Sequence, residues 1–165
     1  MTSYVLLSPF SNDLLRDWPL GYYRDLVELF LGFGEKVCLL GTDSQRQSLN
    51  VVCRDFSATD VEVISGVSWR SALKIISEAR LVVGNNSGVS HFAASLGVPT
   101  LCIFSGTHSL AEWSPRGPAV SVLRRDISCS PCAGSGQRSC SNGFACMVGI
   151  PPEVVFKSAK ALLMR

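Results

Sequence analysis

Short, continuous apolar runs alternate along the chain with longer stretches in which apolar residues recur every three or four positions. Residues 4–7 form the first run, and Ser8-Pro9 stops it, which reads as a buried strand. A polar loop follows over 11–19. Residues 20–33 then place Leu26, Leu29, Phe30 and Phe33 at helical spacing, with Gly32 and Gly34 marking the end. Residues 37–40 predict a second strand, closed by Gly41-Thr42-Asp43, and a weaker helix covers 44–53. A short third strand spans 61–64. Ser68 suits a helix N-cap, with Leu73, Ile75, Ile76 and Ala79 inward on the helix behind it.

The densest signal lies between Leu81 and Gly106. Leu81-Val82-Val83 runs into Gly84-Asn85-Asn86-Ser87-Gly88, an amphipathic segment follows, and 100–104 is apolar again: strand, polar turn, helix, strand. A further strand is expected at 119–123, then a cysteine-rich loop over 129–147. A last helix at 151–164 is opened by Pro151-Pro152, with Val154, Val155, Ala159, Leu162 and Leu163 inward. Strands that read as continuous apolar runs, alternating with helices, imply an α/β fold: a Rossmann-like, doubly wound parallel sheet covered on both faces, forming a single domain over 1–165. Ligands of such folds bind outside the carboxyl ends of the strands, where the loops at 9–19, 41–45, 67–70, 85–91 and 105–113 collect the polar residues.

Composition changes this picture little. A chain of 165 residues, 47% hydrophobic and 17% charged, can bury one full core. A net charge of +2 with scattered basic residues does not favour nucleic acid. The first residues lack the basic start and longer apolar stretch of a signal peptide, and no apolar run is long enough to span a bilayer, so a soluble, cytoplasmic protein is expected.

The turn between Gly84 and His91 is the main candidate for chemistry. It falls where a strand ends and a helix begins, so backbone N–H groups and the helix dipole favour an anion there. Gly84 and Gly88 permit close approach. Asn86 or Ser87 can cap the helix, and His91 lies one turn after Ser87, able to face the same site. The same residues also fit an ordinary helix start with a half-buried histidine. No lysine follows the glycines, so this is not a P-loop, and it is not a G-x-G-x-x-G fingerprint.

Asn86-Ser87-Gly88-x-x-His91-x-Ala93-Ala94-x-Leu96-Gly97-x-Pro99 resembles the D-[ST]-G-x-x-H-x-A-A-x-L-G-x-P signature of glycosyltransferase family 9, the lipopolysaccharide heptosyltransferase family. Pro9-Phe10-Ser11 followed by Arg16-Asp17-Trp18-Pro19 resembles its P-G-[AS] … K-x-W-P loop. Residues 66–79 resemble its G-x-[ST] … I-x-x-A segment, and Phe104-Ser105-Gly106-Thr107 its F-G-x-T turn. The resemblance implies the carboxyl-terminal, donor-binding half of a GT-B glycosyltransferase. Such an enzyme transfers a sugar from a nucleotide-diphosphate sugar, such as ADP-heptose, to a lipid-linked glycan acceptor without needing a cofactor, at the inner face of the cell membrane. By the same resemblance Ser11 and Arg16 contact the diphosphate, Ser87 and Gly88 cradle it, Asn86 and His91 border it, and Asp43 or Gln45 meets the ribose.

The chain departs from the pattern at Asn86, where an acid is expected, at Phe10 for glycine and at Arg16 for lysine. The resemblance covers only the donor half. The general base belongs to an amino-terminal half, so this chain alone is expected not to be a competent transferase. The alternative is a catalytically inactive nucleotide-sugar-binding or interaction module; an epimerase half of the same fold is a third reading. Cys129, Cys132, Cys140 and Cys146, a grouping also seen in some family members, suit a structural zinc, disulfides or unlinked thiols, whereas Cys38, Cys53 and Cys102 read as core. Asp13, Asp17 and Asp25 read as solvated. Trp18 and Trp113 flank the expected cleft, with packing the favoured role over base stacking.

Overall fold

The structure, a computed structural model, describes residues 3–132 and 140–165. Its strands are β1 (Val5–Ser8), β2 (Val37–Gly41), β3 (Val61–Ser65), β4 (Leu81–Asn85), β5 (Thr100–Phe104) and β6 (Val120–Arg124), and its helices α1 (Leu20–Gly32), α2 (Arg46–Cys53), α3 (Trp69–Glu78), α4 (Gly88–Ser95), α5 (Leu110–Trp113), α6 (Ala145–Val148) and α7 (Pro152–Leu163). The strands form one sheet in the order β3-β2-β1-β4-β5-β6, every pair parallel.

The twofold period of a strand explains how the helices divide between the faces. Val5 and Leu7, Val37 and Leu39, Leu81 and Val83, and Leu101 and Ile103 point to one face. There they pack with Leu26 and Phe30 of α1, Leu49 and Val52 of α2, and Val155, Ala159 and Leu162 of α7. Tyr4 and Leu6, Cys38 and Leu40, and Val82 point to the other, against Ala72 and Ile76 of α3 and Ala93 of α4. With both faces covered, central strands carry no polar alternation, which is why they read as unbroken apolar runs.

From β1 the chain winds outward through β2 to β3. It then crosses back along α3 to β4 on the other side of β1 and winds outward again. Connections leaving β1 and β4 therefore diverge to opposite faces, and a crevice opens at the carboxyl ends of these two neighbours.

Several expectations shift. β4 continues through Gly84 and Asn85 instead of ending at Val83. A Cβ on Gly84 would stand 3.0 Å from the Ser8 carbonyl oxygen and 3.1 Å from Ser90 Oγ, so this glycine serves close approach within the sheet and not a turn. The helix expected at 44–53 begins as a single 3-10 turn at Asp43–Gln45. Val154, expected inward, is exposed, because α7 turns Val155, Ala159 and Leu162 to the sheet and leaves position 154 about a quarter-turn away. Phe33 is also exposed; it meets the Phe156 ring edge-on, and Lys160 Nζ lies 4.6 Å from its centroid. The short helices α5 and α6 lie in stretches read as loop.

Gly117, ahead of β6, lets the chain pass over the end of α4: a Cβ there would sit 2.2 Å from the Ala94 carbonyl oxygen. Gly117→Ala is expected to lower unfolding stability by about 1–3 kcal/mol through overpacking, measured by urea denaturation, with the native far-UV circular dichroism retained.

Candidate functional site

The crevice is a cavity of about 930 Å³ across the carboxyl ends of β1, β2, β3 and β4. All eight binding residues expected from the sequence line it: Ser11, Arg16, Asp43, Gln45, Asn86, Ser87, Gly88 and His91. They arrive on separate loops, brought together by the parallel order of the strands.

At the end nearest α4, two buried polar atoms have no hydrogen-bond partner, Arg16 Nε and Ser87 Oγ. Ser87 occupies the N-cap position of α4, yet its hydroxyl makes no capping bond. Asn86, the other expected cap, instead lies beside His91, its Oδ1 2.9 Å from Nε2. The Arg16 guanidinium is fixed on its other nitrogens: Nη1 donates to the Asn86 carbonyl oxygen at 3.3 Å and Nη2 to Asn12 Oδ1. Asp13 stands 4.0 Å from Nε, at the outer limit of an ion pair. A buried donor without an acceptor is destabilising. A positive donor and a hydroxyl at a helix N-terminus are jointly satisfied by an anion. Gly88 adds room, since a Cβ there would meet no protein atom within 4 Å.

The other end is built differently. Gln45 Oε1 accepts from the Thr42 backbone N–H at 2.9 Å, closing a capping box with Thr42. Asp43 Oδ1 accepts from Arg46 Nε at 3.3 Å. Gly66, at φ +70°, lets the loop after β3 fold against the Asp43 side chain, a conformation L side chains rarely adopt. Behind these loops the wall is apolar: Leu40, Val67, Trp69, Ala72 and Val89. Trp69 is half exposed and stacked edge-on against Phe92, centroids 4.8 Å apart. Among the described residues lining the cavity, Asp43 carries the one carboxylate.

Some readings need correction. Asp17, expected in solvent, is half-buried: Oδ1 accepts the Ser11 backbone N–H at 2.7 Å and Asn85 Nδ2 at 3.2 Å. Burial raises its pKa above the ordinary carboxylate value, against the lowering effect of those bonds and of Arg16. Trp18 does not flank the cleft; it is 1% exposed, and its indole N–H donates to the Ile150 carbonyl oxygen at 2.9 Å. Trp113 does reach the cavity. Phe10 packs partly against the core and lines the cavity floor beside Ser8.

The four-cysteine reading also changes. Among the described residues no three His, Cys, Asp or Glu side chains stand close enough to hold a metal ion, and no cysteine is in a disulfide. Cys146 is buried in the hydrophobic core, Cys140 Sγ accepts the Phe144 backbone N–H at 3.2 Å, and Cys129 Sγ faces Asn142 Nδ2. The thiols are neighbours: burial first, then Cys129, Cys146 and Cys140, raise the Cys132 pKa.

Trp69 and Asn85 had no role of their own in the sequence, and Asp17 read only as solvated. The signal for Asn85 was its position, a polar residue at the end of a fully apolar strand. Trp69 carried none, because its partner Phe92 lies on another helix.

Fold and cavity together define a doubly wound α/β unit with a polar-lined cavity at its switch point. The profile of glycosyltransferase family 9 (heptosyltransferase) matches residues 2–141, and the chain belongs to that family. Lipopolysaccharide heptosyltransferase 1 of Pseudomonas aeruginosa is 29% identical over 130 residues, covering 78% of this chain and 36% of the relative. Among solved structures, ADP-heptose LPS heptosyltransferase II of E. coli superposes with a TM-score of 0.82 at 21% identity, over 99% of this chain and 47% of that one. The E. coli heptosyltransferase WaaC with ADP gives 0.79 at 17%, over 96% and 44%. The chain thus spans less than half the length of these relatives, and its sheet is the Rossmann-like unit of a GT-B fold. No helix of the described residues is long and apolar enough to cross a membrane.

Burial, and secondarily Arg16, lower the His91 pKa below its ordinary 6.5. The folded state then binds fewer protons than the unfolded one between that lowered value and 6.5, so His91 contributes stability that is complete above 6.5 and lost as pH falls. NMR titration of the imidazole should place its pKa below 6.5, and His91→Gln should shallow the acid limb of the stability profile.

Proposed function

We propose that this chain is the donor-binding domain of a heptosyltransferase-like glycosyltransferase acting in lipopolysaccharide or other surface-glycan synthesis, and that its cavity takes a nucleotide-diphosphate sugar of the ADP-heptose type. The observation that carries this is the pair of unpartnered polar atoms, Arg16 Nε and Ser87 Oγ, at the N-terminus of α4. The diphosphate lies there, with Ser11, Gly88 and His91 around it. The ribose meets Gln45 or Asp43, and the base enters the apolar compartment walled by Leu40, Val67 and Trp69. That one of the superposed enzymes is an ADP-heptose heptosyltransferase and another is in complex with ADP supports this choice of donor.

Transfer also needs a base at the acceptor hydroxyl. Asp43, the carboxylate on the described cavity wall, is placed for the ribose and not for the acceptor. The base and the lipid-linked acceptor site then belong to a partner half, and the assembled enzyme works at the cytoplasmic face of the membrane, where its acceptor is anchored. Asn86 favours a second reading, an inactive nucleotide-sugar-binding module: the family pattern has an acid at this position, and a carboxamide beside His91 supplies no negative charge.

Titration calorimetry with ADP, ADP-heptose and the UDP and GDP sugars tests the donor assignment. Binding is expected for the adenosine compounds, and no affinity for any nucleotide would refute it. Arg16→Ala should weaken ADP binding by about 10- to 100-fold, the range for loss of a charge-assisted hydrogen bond. Gly88→Ala should leave thermal stability nearly unchanged, because the new methyl meets no protein atom, while weakening ADP binding at least as much as Arg16→Ala.

A further inference from the structure

The loop that carries Ser11 and Arg16 is not held by the core alone. Asn85, the last residue of β4, is fully buried, and every hydrogen-bonding position of its carboxamide facing this loop and α1 is used. Oδ1 accepts from the Trp18 backbone N–H at 3.2 Å and from the Tyr23 hydroxyl at 3.1 Å. Nδ2 donates to the Pro9 carbonyl oxygen at 2.6 Å and to Asp17 Oδ1 at 3.2 Å. A backbone N–H can only donate and a carbonyl oxygen can only accept, so the orientation of the amide is dictated by its partners. One side chain therefore grips both ends of the loop, at Pro9 and at Trp18. Asp17 relays the grip inward, since the same Oδ1 accepts the Ser11 N–H at 2.7 Å. The next residue of the chain, Asn86, gives its carbonyl oxygen to Arg16 Nη1.

We propose that Asn85 is a positioning residue: with Asp17 as its outer partner, it sets the shape of the 9–18 loop in which Ser11 and Arg16 meet the anion. The name of that anion, a nucleoside diphosphate, rests on the donor-binding reading; the network does not. Aspartate is nearly isosteric with asparagine, yet at position 85 it would set a carboxylate against the Pro9 carbonyl oxygen and the Asp17 carboxylate. Facing this pair are Arg16 and the Ser11 N–H on the loop itself, the Tyr23 hydroxyl on α1 and, acting on that hydroxyl, the buried Cys102 thiol on β5. Two carboxylates in one buried site share a proton more readily than they both ionise. Asn85→Asp therefore releases the loop at alkaline pH and recovers it, in large part, when a proton returns.

Two readouts test this. The chain has three tryptophans. In a Trp69→Phe, Trp113→Phe background, Trp18 alone reports on the loop. In Asn85→Asp its emission should shift to the red near about pH 8 and return toward that of the parent near about pH 5.5 as the shared proton is taken up. In the chain with its tryptophans intact, Asn85→Asp should bind ADP about 10- to 100-fold more weakly at the higher pH and regain most of that at the lower. Asp17→Asn keeps an oxygen for both of its donors and should stay within about threefold of the parent at either pH; Asp17→Ala, which leaves the Ser11 N–H and one Asn85 Nδ2 hydrogen without an acceptor, should lose ADP affinity about tenfold and lower the thermal midpoint by a few degrees while staying folded. The proposal is overturned if Asn85→Asp binds ADP and fluoresces like the parent at the higher pH, or if its loss is the same at both. Should Asn85→Asp not fold, parent-like ADP binding by Asp17→Ala overturns it instead. If the parent binds no ADP, the donor reading fails, and the Trp18 response alone decides the positioning role.

Discussion

Parallel strands impose a connection rule on which everything else here depends. Each strand must be followed by a crossover, and where the winding direction reverses, between β1 and β4, the crossovers leave for opposite faces. No side chain of the two packed layers can fill the space between them at the strand ends. That space is the cavity, and it exists because of chain direction before any residue in it is chosen. The sequence then furnishes it: a helix start on one side, a half-buried guanidinium opposite, and an apolar wall carrying Trp69 at the far end.

What furnishes the two ends differs in kind. At α4 the polar groups are held by one another and left with an open position, Arg16 through two of its three nitrogens and Ser87 through its backbone. On the loop after β2 they are satisfied internally, Gln45 by Thr42 and Asp43 by Arg46. A ligand docking across the cavity gains at the first end by ending an orphaned state, and at the second it must exchange with bonds already made. If the cavity takes the anionic ligand proposed for it, binding strength is concentrated at the α4 end, and discrimination falls to the shape and stacking of the wall at the other.

Much of this was readable in advance, for a physical reason. Strands buried on both faces must be apolar throughout, so Leu81-Val82-Val83 and its counterparts announced themselves, and the loops between carried the polar residues that line the cavity. Local periodicity, however, cannot show which segments meet. Asp17 read as solvated because its partners, Ser11 and Asn85, are made adjacent by pairing of β1 with β4. Trp18 read as a cleft residue because nothing nearby in sequence reveals that Ile150 caps its indole. Gly84 read as a turn residue permitting close approach; the close approach is there, but it is to the neighbouring strand within the sheet, which local sequence does not show. Cys146, spaced like a ligand in the sequence, is claimed for the core by its apolar surroundings.

The Trp18–Ile150 bond also bears on how the chain comes to its final state during synthesis. Its partners are 132 residues apart, and Phe156 of α7 closes edge-on over Phe30 of α1 at 5.4 Å between centroids. A chain emerging from the ribosome can pair β1 with β2 early, but the segment following β1 has no lid until the last helix appears. Contacts between such distant segments form late. Within this unit the 9–18 loop is translated well before Ile150 and is fastened only after it, so a nascent chain stopped short of Ile150 carries the residues of the cavity without its shape.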